Sequence, residues 1–256
     1  MTEPNFVGVG SHKCGTTWWH HSLICHPQIK VATVPGHEYT TDDFVGKQLH
    51  FFDKYNQEPF DAKVAREEYA EFFQRKPCSE ISGEWTPRYA ASWWVPPLLR
   101  QCVDEDTKIL MTVRDPVVRY ESSHAHHIKH STREYGLEFD PRAALWAEEA
   151  FSWGLFGQHL ERLYKSFDPE NVLVLQYEKM VREPEKQYRR TLEFLGVDPT
   201  FVPDDLYQRF NASKGGEIYT IPQHIREALK SAYVEDVALL AALAPDVDTT
   251  MWTGER

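Results

Sequence analysis

Residues 6–24 read FVGVGSHKCGTTWWHHSLI. The apolar, β-branched run from Phe6 predicts a strand, the glycine-bracketed polar stretch a tight loop, and the apolar spacing after it a helix. In the loop, Gly10 and Gly15 enclose four residues, the outer spacing of phosphate-binding loops whose backbone N–H groups converge on an anion. The lysine that follows the second glycine in triphosphate-binding loops is replaced by Thr16, and Lys13 lies inside the loop instead. Lys13 is therefore expected to approach an anion from the loop's crest. The N–H groups of Gly15, Thr16 and Thr17 and the positive end of the helix would hold it from below. Such a loop suits a singly bridged phosphate better than a magnesium-bound triphosphate.

Further along the chain, strand and helix patterns alternate. Residues 29–34 and the nearly all-apolar runs 107–113 and 171–176 predict strands, the last two buried on both faces. Helical patterns cover residues 16–26, with Trp19, Leu23 and Cys25 facing inward, then 61–74, 93–103, 140–167 with a break near Gly154 and Gly157, and 222–243. Strands alternating with helices predict an α/β fold of three layers, α/β/α, around a mostly parallel sheet. At 256 residues without a Pro/Gly/Ser-rich linker, the chain reads as one domain spanning 1–256.

Composition narrows the functional classes. Hydrophobic residues make up 41% and aromatics 13%, which fits a globular chain rather than a disordered one. No apolar run approaches membrane-spanning length and residues 1–6, MTEPNF, resemble no secretory signal, so a cytoplasmic location is expected. Cys14, Cys25, Cys78 and Cys102 show no metal-binding spacing and are expected as reduced thiols, with Cys14 a small loop residue before it is a reactive one. A net charge of −11 argues against nucleic acid or a sulfated glycan as partner, because long-range repulsion slows encounter. A neutral or cationic small acceptor fits better.

Several motifs carry a family resemblance. The order strand, Lys13-Cys14-Gly15-Thr16-Thr17-Trp18, helix resembles the 5′-phosphosulfate loop of sulfotransferases that use 3′-phosphoadenosine 5′-phosphosulfate (PAPS). Arg114-Asp115-Pro116-Val117-Val118-Arg119-Tyr120-Glu121-Ser122 resembles the family's R-[ND]-P-x-x-R-x-x-S segment, in which the first arginine and the serine bind the 3′-phosphate. An arginine at a strand's carboxyl end reaches the crevice where open α/β sheets bind ligands, with a planar fork matched to phosphate. Lys47-Gln48-Leu49-His50-Phe51-Phe52-Asp53 resembles KE-x-HFFD of the heparan-type enzymes, and residues 82–89, SGEWTPRY, resemble GEK-[ST]-P-x-Y. Residues 172–197 resemble the segment around the family's last strand, scaffold more than chemistry.

The departures matter. Gln48 stands where the family has its acidic base, and an amide cannot take a proton; Trp85 replaces a lysine, suggesting with Trp93 and Trp94 an aromatic wall for the acceptor, with core packing the commoner place for any single one of them. The resemblance implies the P-loop-like sulfotransferase fold, PAPS as donor, 3′,5′-adenosine bisphosphate (PAP) as product, and no metal. It implies a cofactor site of His12, Lys13, Cys14, Gly15, Thr16, Thr17, Trp18, Arg114 and Ser122, with Lys214 and Gly215 closing from a later loop. Lys13 is expected to stabilise charge on the leaving oxygen, and His50, ahead of Glu38, His37 and Glu84, to take the acceptor's proton. Histidines 124, 126, 127 and 130 have helical i,i+3 and i,i+4 spacing but are expected as a solvated or cleft-lining face. The expected partners are a small-molecule acceptor and no membrane or nucleic acid, with a homodimer left open. An ATP-dependent kinase or a non-catalytic nucleotide-binding protein are the alternatives, the second kept open by Gln48.

Overall fold

Five parallel strands, in the order β2-β3-β1-β4-β5, form the sheet of the computed structural model, which describes residues 3–33, 47–73, 80–131, 143–208 and 220–254. They are β1 (Phe6–Gly10), β2 (Ile29–Val31), β3 (Ile81–Trp85), β4 (Lys108–Val113) and β5 (Val172–Gln176). The helices are α1 (Thr16–Ile24), α2 (Ala62–Ala70), α3 (Val95–Cys102), α4 (Pro116–Ser131), α5 (Ala143–Ser152), α6 (Phe156–Tyr164), α7 (Tyr177–Arg182), α8 (Pro184–Leu195) and α9 (Gln223–Leu243).

The three layers follow from strand alternation, since successive side chains point to opposite faces. Val7 and Val9 of β1, Ile109 and Met111 of β4 and Val172 and Val174 of β5 pack with α2, α3, α6 and α9. Phe6, Leu110, Leu173 and Leu175 face the other way, onto Trp18, Trp19 and Leu23 of α1 and Tyr188 and Leu192 of α8. The expected α/β/α architecture is present, and every strand pair among the described residues is parallel.

Strand β1 lies between β3 and β4, pairing Gly8 with Trp85 on one side and with Leu110 on the other. The chain runs to one side of β1 for β2 and β3, then crosses to the other for β4 and β5. This reversal opens a crevice at the carboxyl ends of β1 and β4, the usual ligand position in such sheets.

Strand β3 was absent from the expected elements. Its sequence, ISGEW, mixes Gly, Ser and Glu and shows no strand periodicity, and tertiary pairing on both edges overrides that weak propensity. Helices α2 and α3 are shorter than expected. Asp61 caps α2, accepting from the N–H groups of Lys63 and Val64 at 2.9 and 3.1 Å, while Trp94 precedes the prolines in the first turn of α3. Cys25, expected inward, is exposed at the end of α1.

For Trp85 the core alternative holds and the acceptor wall does not. It is fully buried, its indole lies across Gly8, and its N–H donates to the Gly10 carbonyl at 3.2 Å. A Cβ on Gly8 would fall 2.1 Å from the indole, so the glycine makes room for the ring. Trp85 is thus core under the sheet and no wall for an acceptor; Trp94 is tied by its N–H to the Phe52 carbonyl at 3.1 Å, and of the three only Trp93, 70% exposed, is open to solvent.

Candidate active site

The loop between β1 and α1 is fixed from below. The Ser11 N–H donates to the carbonyl and hydroxyl of Thr112 at 3.0 and 2.9 Å, and the Thr112 hydroxyl donates to the Gly10 carbonyl at 3.0 Å. Gly15 precedes α1 with φ +82°, and a Cβ there would meet the Tyr177 ring at 2.8 Å. Only glycine satisfies both demands. The opening N–H groups of α1 have no acceptor within the helix and offer the positive end of its dipole to the crevice.

Cations gather around that end. Arg114, leaving β4, donates to the Lys13 carbonyl at 3.2 Å while its guanidinium stacks over Tyr177 at 4.5 Å. Lys47, to which sequence reasoning assigned no role, reaches the same place: its ammonium hydrogen-bonds the Thr17 hydroxyl. Burial, and then the charge of Lys13, push the Lys47 ammonium down to about 8. Its backbone bridges Trp85, and the neighbouring Gln48 N–H donates to the Trp85 carbonyl at 2.9 Å, so the end of β3 carries Lys47 to the loop. The only sequence signal for it was its place at the head of the KQLHFFD motif.

The same motif places His50 beside Asp53, with His50 Nδ1 2.8 Å from Asp53 Oδ2, and Arg88 lies 3.6 Å from that oxygen. The His50 side chain is 44% exposed. The His50 N–H is 3.4 Å from the Thr86 hydroxyl, which donates to Glu84 Oε2 at 2.8 Å, while Tyr69 donates to Oε1 at 3.0 Å. Glu84 is wholly buried, and burial raises its carboxyl to about 8 despite those donors. Among the described residues the non-glycine positions with positive φ are Lys13 at 66°, Gln48 at 61° and His50 at 54°. All three belong to these two segments, and such backbone conformations concentrate at functional sites.

The other expected residues are distributed unevenly. Thr16 is buried and Thr17 half-buried at the start of α1. Trp18 points into the core and donates to the Leu206 carbonyl at 2.7 Å, and His12 packs edge-on against Trp153 at 4.5 Å. Burial pushes the Cys14 thiol up to about 12, the reverse of an activated cysteine. Ser122 is half-buried on α4, whose start is capped by Asp115 accepting from Val117 and Val118 at 2.9 and 3.2 Å. His37, Glu38, Cys78, Lys214 and Gly215 lie outside the described residues, as do the side chains of His126, His127 and His130.

The loop between β1 and α1, without the lysine usual in triphosphate-binding loops, thus has beside it an arginine that follows β4 and a lysine bridged to the end of β3. The sulfotransferase domain model matches residues 3–228, and the chain belongs to that family of sulfuryl-transferring enzymes. It is 26% identical over 219 residues to heparan sulfate glucosamine 3-O-sulfotransferase 3B1 of Homo sapiens, covering 83% of this chain and 50% of the relative; the Mus musculus 3A1 enzyme is 27% identical with the same coverage. The chain thus spans about half the length of these curated relatives. A sulfotransferase from Alicyclobacillus acidocaldarius superposes with a TM-score of 0.74 at 25% identity, over 98% of this chain and 99% of that one. The sulfotransferase domain of the curacin biosynthetic pathway shares the fold, with a TM-score of 0.52 at 16% identity over 95% and 98% of the two chains.

Proposed function

We propose that the chain transfers a sulfuryl group from PAPS to a hydroxyl or amine of a small, neutral or cationic acceptor. The carrying observation is the depressed Lys47 ammonium beside Lys13 at the mouth of α1. Two ammonium groups brought together at partial burial gain a favourable partner when an anion enters. Lys13 and the amides of Gly15, Thr16 and Thr17 are assigned to the 5′-phosphosulfate, Lys47 to the oxygens of the moving group, and Arg114 and Ser122 to the 3′-phosphate. Lys214 and Gly215 keep the role that the family resemblance gives them.

PAPS supplies a sulfuryl group whose departure leaves negative charge on the bridging 5′-phosphate oxygen. In this reading Lys13 and the loop amides balance that charge, and Lys47 the charge on the sulfuryl oxygens. His50 takes the proton of a hydroxyl acceptor at Nε2, because Asp53 occupies Nδ1 and sets the ring's tautomer. Glu84 acts through Thr86 on the backbone of His50 and is a positioning residue. The acidic balance of the chain and the replacement of the family lysine by a buried Trp85 support a small acceptor over a sulfated polysaccharide. Residues 1–256 acting as one domain in a reducing, cytoplasmic setting complete the proposal, supported by the free thiols of Cys14, Cys25 and Cys102.

The test is a thermal-shift titration with PAP beside ATP plus Mg²⁺, on the wild type and Arg114→Ala, followed by radiolabelled sulfate transfer from PAPS to phenolic, alcoholic and amine acceptors. A ligand selective for the native state stabilises it by about 2.7 kcal/mol at a hundredfold excess over Kd. Stabilisation by PAP alone, weakened in Arg114→Ala, with transfer to a member of the panel, is expected. Stabilisation by ATP would return the kinase reading, and PAP binding with no transfer to any acceptor the non-catalytic one.

A further inference from the structure

His21, in the last turn of α1, and Cys25, the residue that caps its carboxyl end, are four residues apart, so both side chains leave the same face. The turn at residues 204–207, far along the chain, brings Asp205 onto that face. His21 Nε2 is 2.7 Å from Asp205 Oδ2 and 3.9 Å from Cys25 Sγ, and the three potential ligand atoms all lie within 4.8 Å of one another. The second oxygen of Asp205, Oδ1, is shielded from solvent and has no hydrogen-bond partner among the described residues. An imidazole nitrogen, a thiol and a carboxylate with unused acceptor capacity thus converge on one point. The point lies roughly 10 Å along α1 from the candidate active site, given a rise of about 1.5 Å per residue.

We propose that His21, Cys25 and Asp205 form a binding site for one Zn²⁺ ion. The donor set is mixed nitrogen, sulfur and oxygen, which suits borderline-soft zinc and not the oxygen-seeking Mg²⁺ or Ca²⁺. The geometry needs little adjustment. Ligands at normal zinc distances and tetrahedral angles stand about 3.4 Å apart for N and O and about 3.6 Å apart for N and S. Side-chain rotation therefore has to open the His21–Asp205 pair and draw Cys25 slightly inward; as Cys25 is exposed, that movement meets no core packing. Three protein ligands leave a fourth position for water.

Binding converts the Cys25 thiol to a thiolate, its S–H proton passing to solvent as the Zn–S bond forms. Because the metal-bound form is the thiolate, affinity rises with pH. The ion's effect on the fold is also defined. Leu206, next to Asp205, accepts the Trp18 indole N–H at 2.7 Å, so this turn is already latched to α1 near its start. Zinc adds a second tie at the helix's other end and fixes the turn against the helix that opens the phosphate-binding loop. The ion touches no atom of that loop, so the site stands whether or not the chain transfers sulfate.

The experiment is a zinc titration of the chelator-stripped, tag-free chain against a chromophoric competitor, repeated with Co²⁺ as a spectroscopic stand-in, on the wild type, Cys25→Ser and Asp205→Asn. Both substitutions are near-isosteric and close to the surface, and unchanged melting of the metal-free variants establishes that they fold. The expected result is one Zn²⁺ per chain, about one proton released, a thiolate-to-cobalt charge-transfer band, and a melting temperature that rises on zinc addition. Cys25→Ser should abolish the band and the rise, and Asp205→Asn should weaken binding at least tenfold. Zinc binding undiminished in Cys25→Ser, as the histidines near residue 124 would give, or a cobalt complex lacking the thiolate band, overturns the proposal.

Discussion

Lys47 is the residue on which the electrostatics of the site turn, because its ammonium, down to about 8, rests against Thr17 and beside Lys13. A bound bisphosphate would favour the protonated form, so PAP binding near pH 8 should be accompanied by proton uptake, and affinity should fall as pH rises through that region. Calorimetry in two buffers of different ionisation enthalpy reads the uptake directly. Lys47→Met should cut turnover about 10²- to 10³-fold, the usual effect of removing one transition-state donor, while leaving the melting temperature unchanged or higher. Equal losses of turnover and stability would instead make Lys47 a scaffold residue. His50→Ala should lower kcat about 10²-fold or more with a hydroxyl acceptor, and near-normal turnover would remove His50 as the base. Glu84 gives a stability signature. Its folded carboxyl, at about 8 against an ordinary 4.5, holds a proton that the unfolded chain has lost, so the stability it contributes is complete below about 4.5 and declines as pH rises toward 8. Glu84→Gln carries no such proton, and urea denaturation at pH 6 and 8.5 should show the wild type losing more stability than the variant. Parallel losses would mean that Glu84 is ionised in the fold.

At the scale of elements, the β1–loop–α1 unit and the β4–α4 corner were legible because their chemistry is local. A strand, two glycines and a helix start can be read from spacing alone, and Asp115-Pro116 is an N-cap followed by the residue best suited to the first helical position. Asp115→Ala removes that cap and the acceptor of the Gly254 N–H, and should lower the melting temperature by several degrees, at about 0.5–2 kcal/mol for the cap and about 2–4 °C per kcal/mol for a chain of this size. Gly15→Ala, forced to φ +82° against the Tyr177 ring, should destabilise further and abolish PAP binding. Strand β3 was illegible because its identity as a strand depends on partners at residues 6–8 and 29–31, and its polar side chains satisfy themselves only inside the folded core. Lys47 was missed for the same reason. Its approach to Thr17 is set by pairing with the end of β3, and nothing in the local sequence encodes that contact. For Trp85 the choice between wall and core could not be closed locally, because a tryptophan's destination depends on the neighbour that yields space, here Gly8, and that neighbour lies on another strand.

At the scale of the molecule, acid should loosen the α6 layer before the sheet. His159 is buried, and burial, then the charges of Arg162 and Arg119, hold its imidazole down to about 3. The stability gained from a neutral His159 is complete above its ordinary 6.5 and is lost as pH falls toward 3, so His159→Gln should flatten the acid limb of the stability profile over that window. The parallel sheet has a further consequence, in the order of synthesis. Strand β1 leaves the ribosome well before either of its partners, Gly83 to Trp85 and Lys108 to Met111. At about 5–20 residues per second, translation needs several seconds or more to supply the second partner. Through that interval FVGVG and the tryptophans of α1 are exposed without a surface to bury them. The segment proposed to hold the donor is therefore a demand on chaperones during synthesis, and nascent chains halted before β4 should be held by chaperones rather than by their own core.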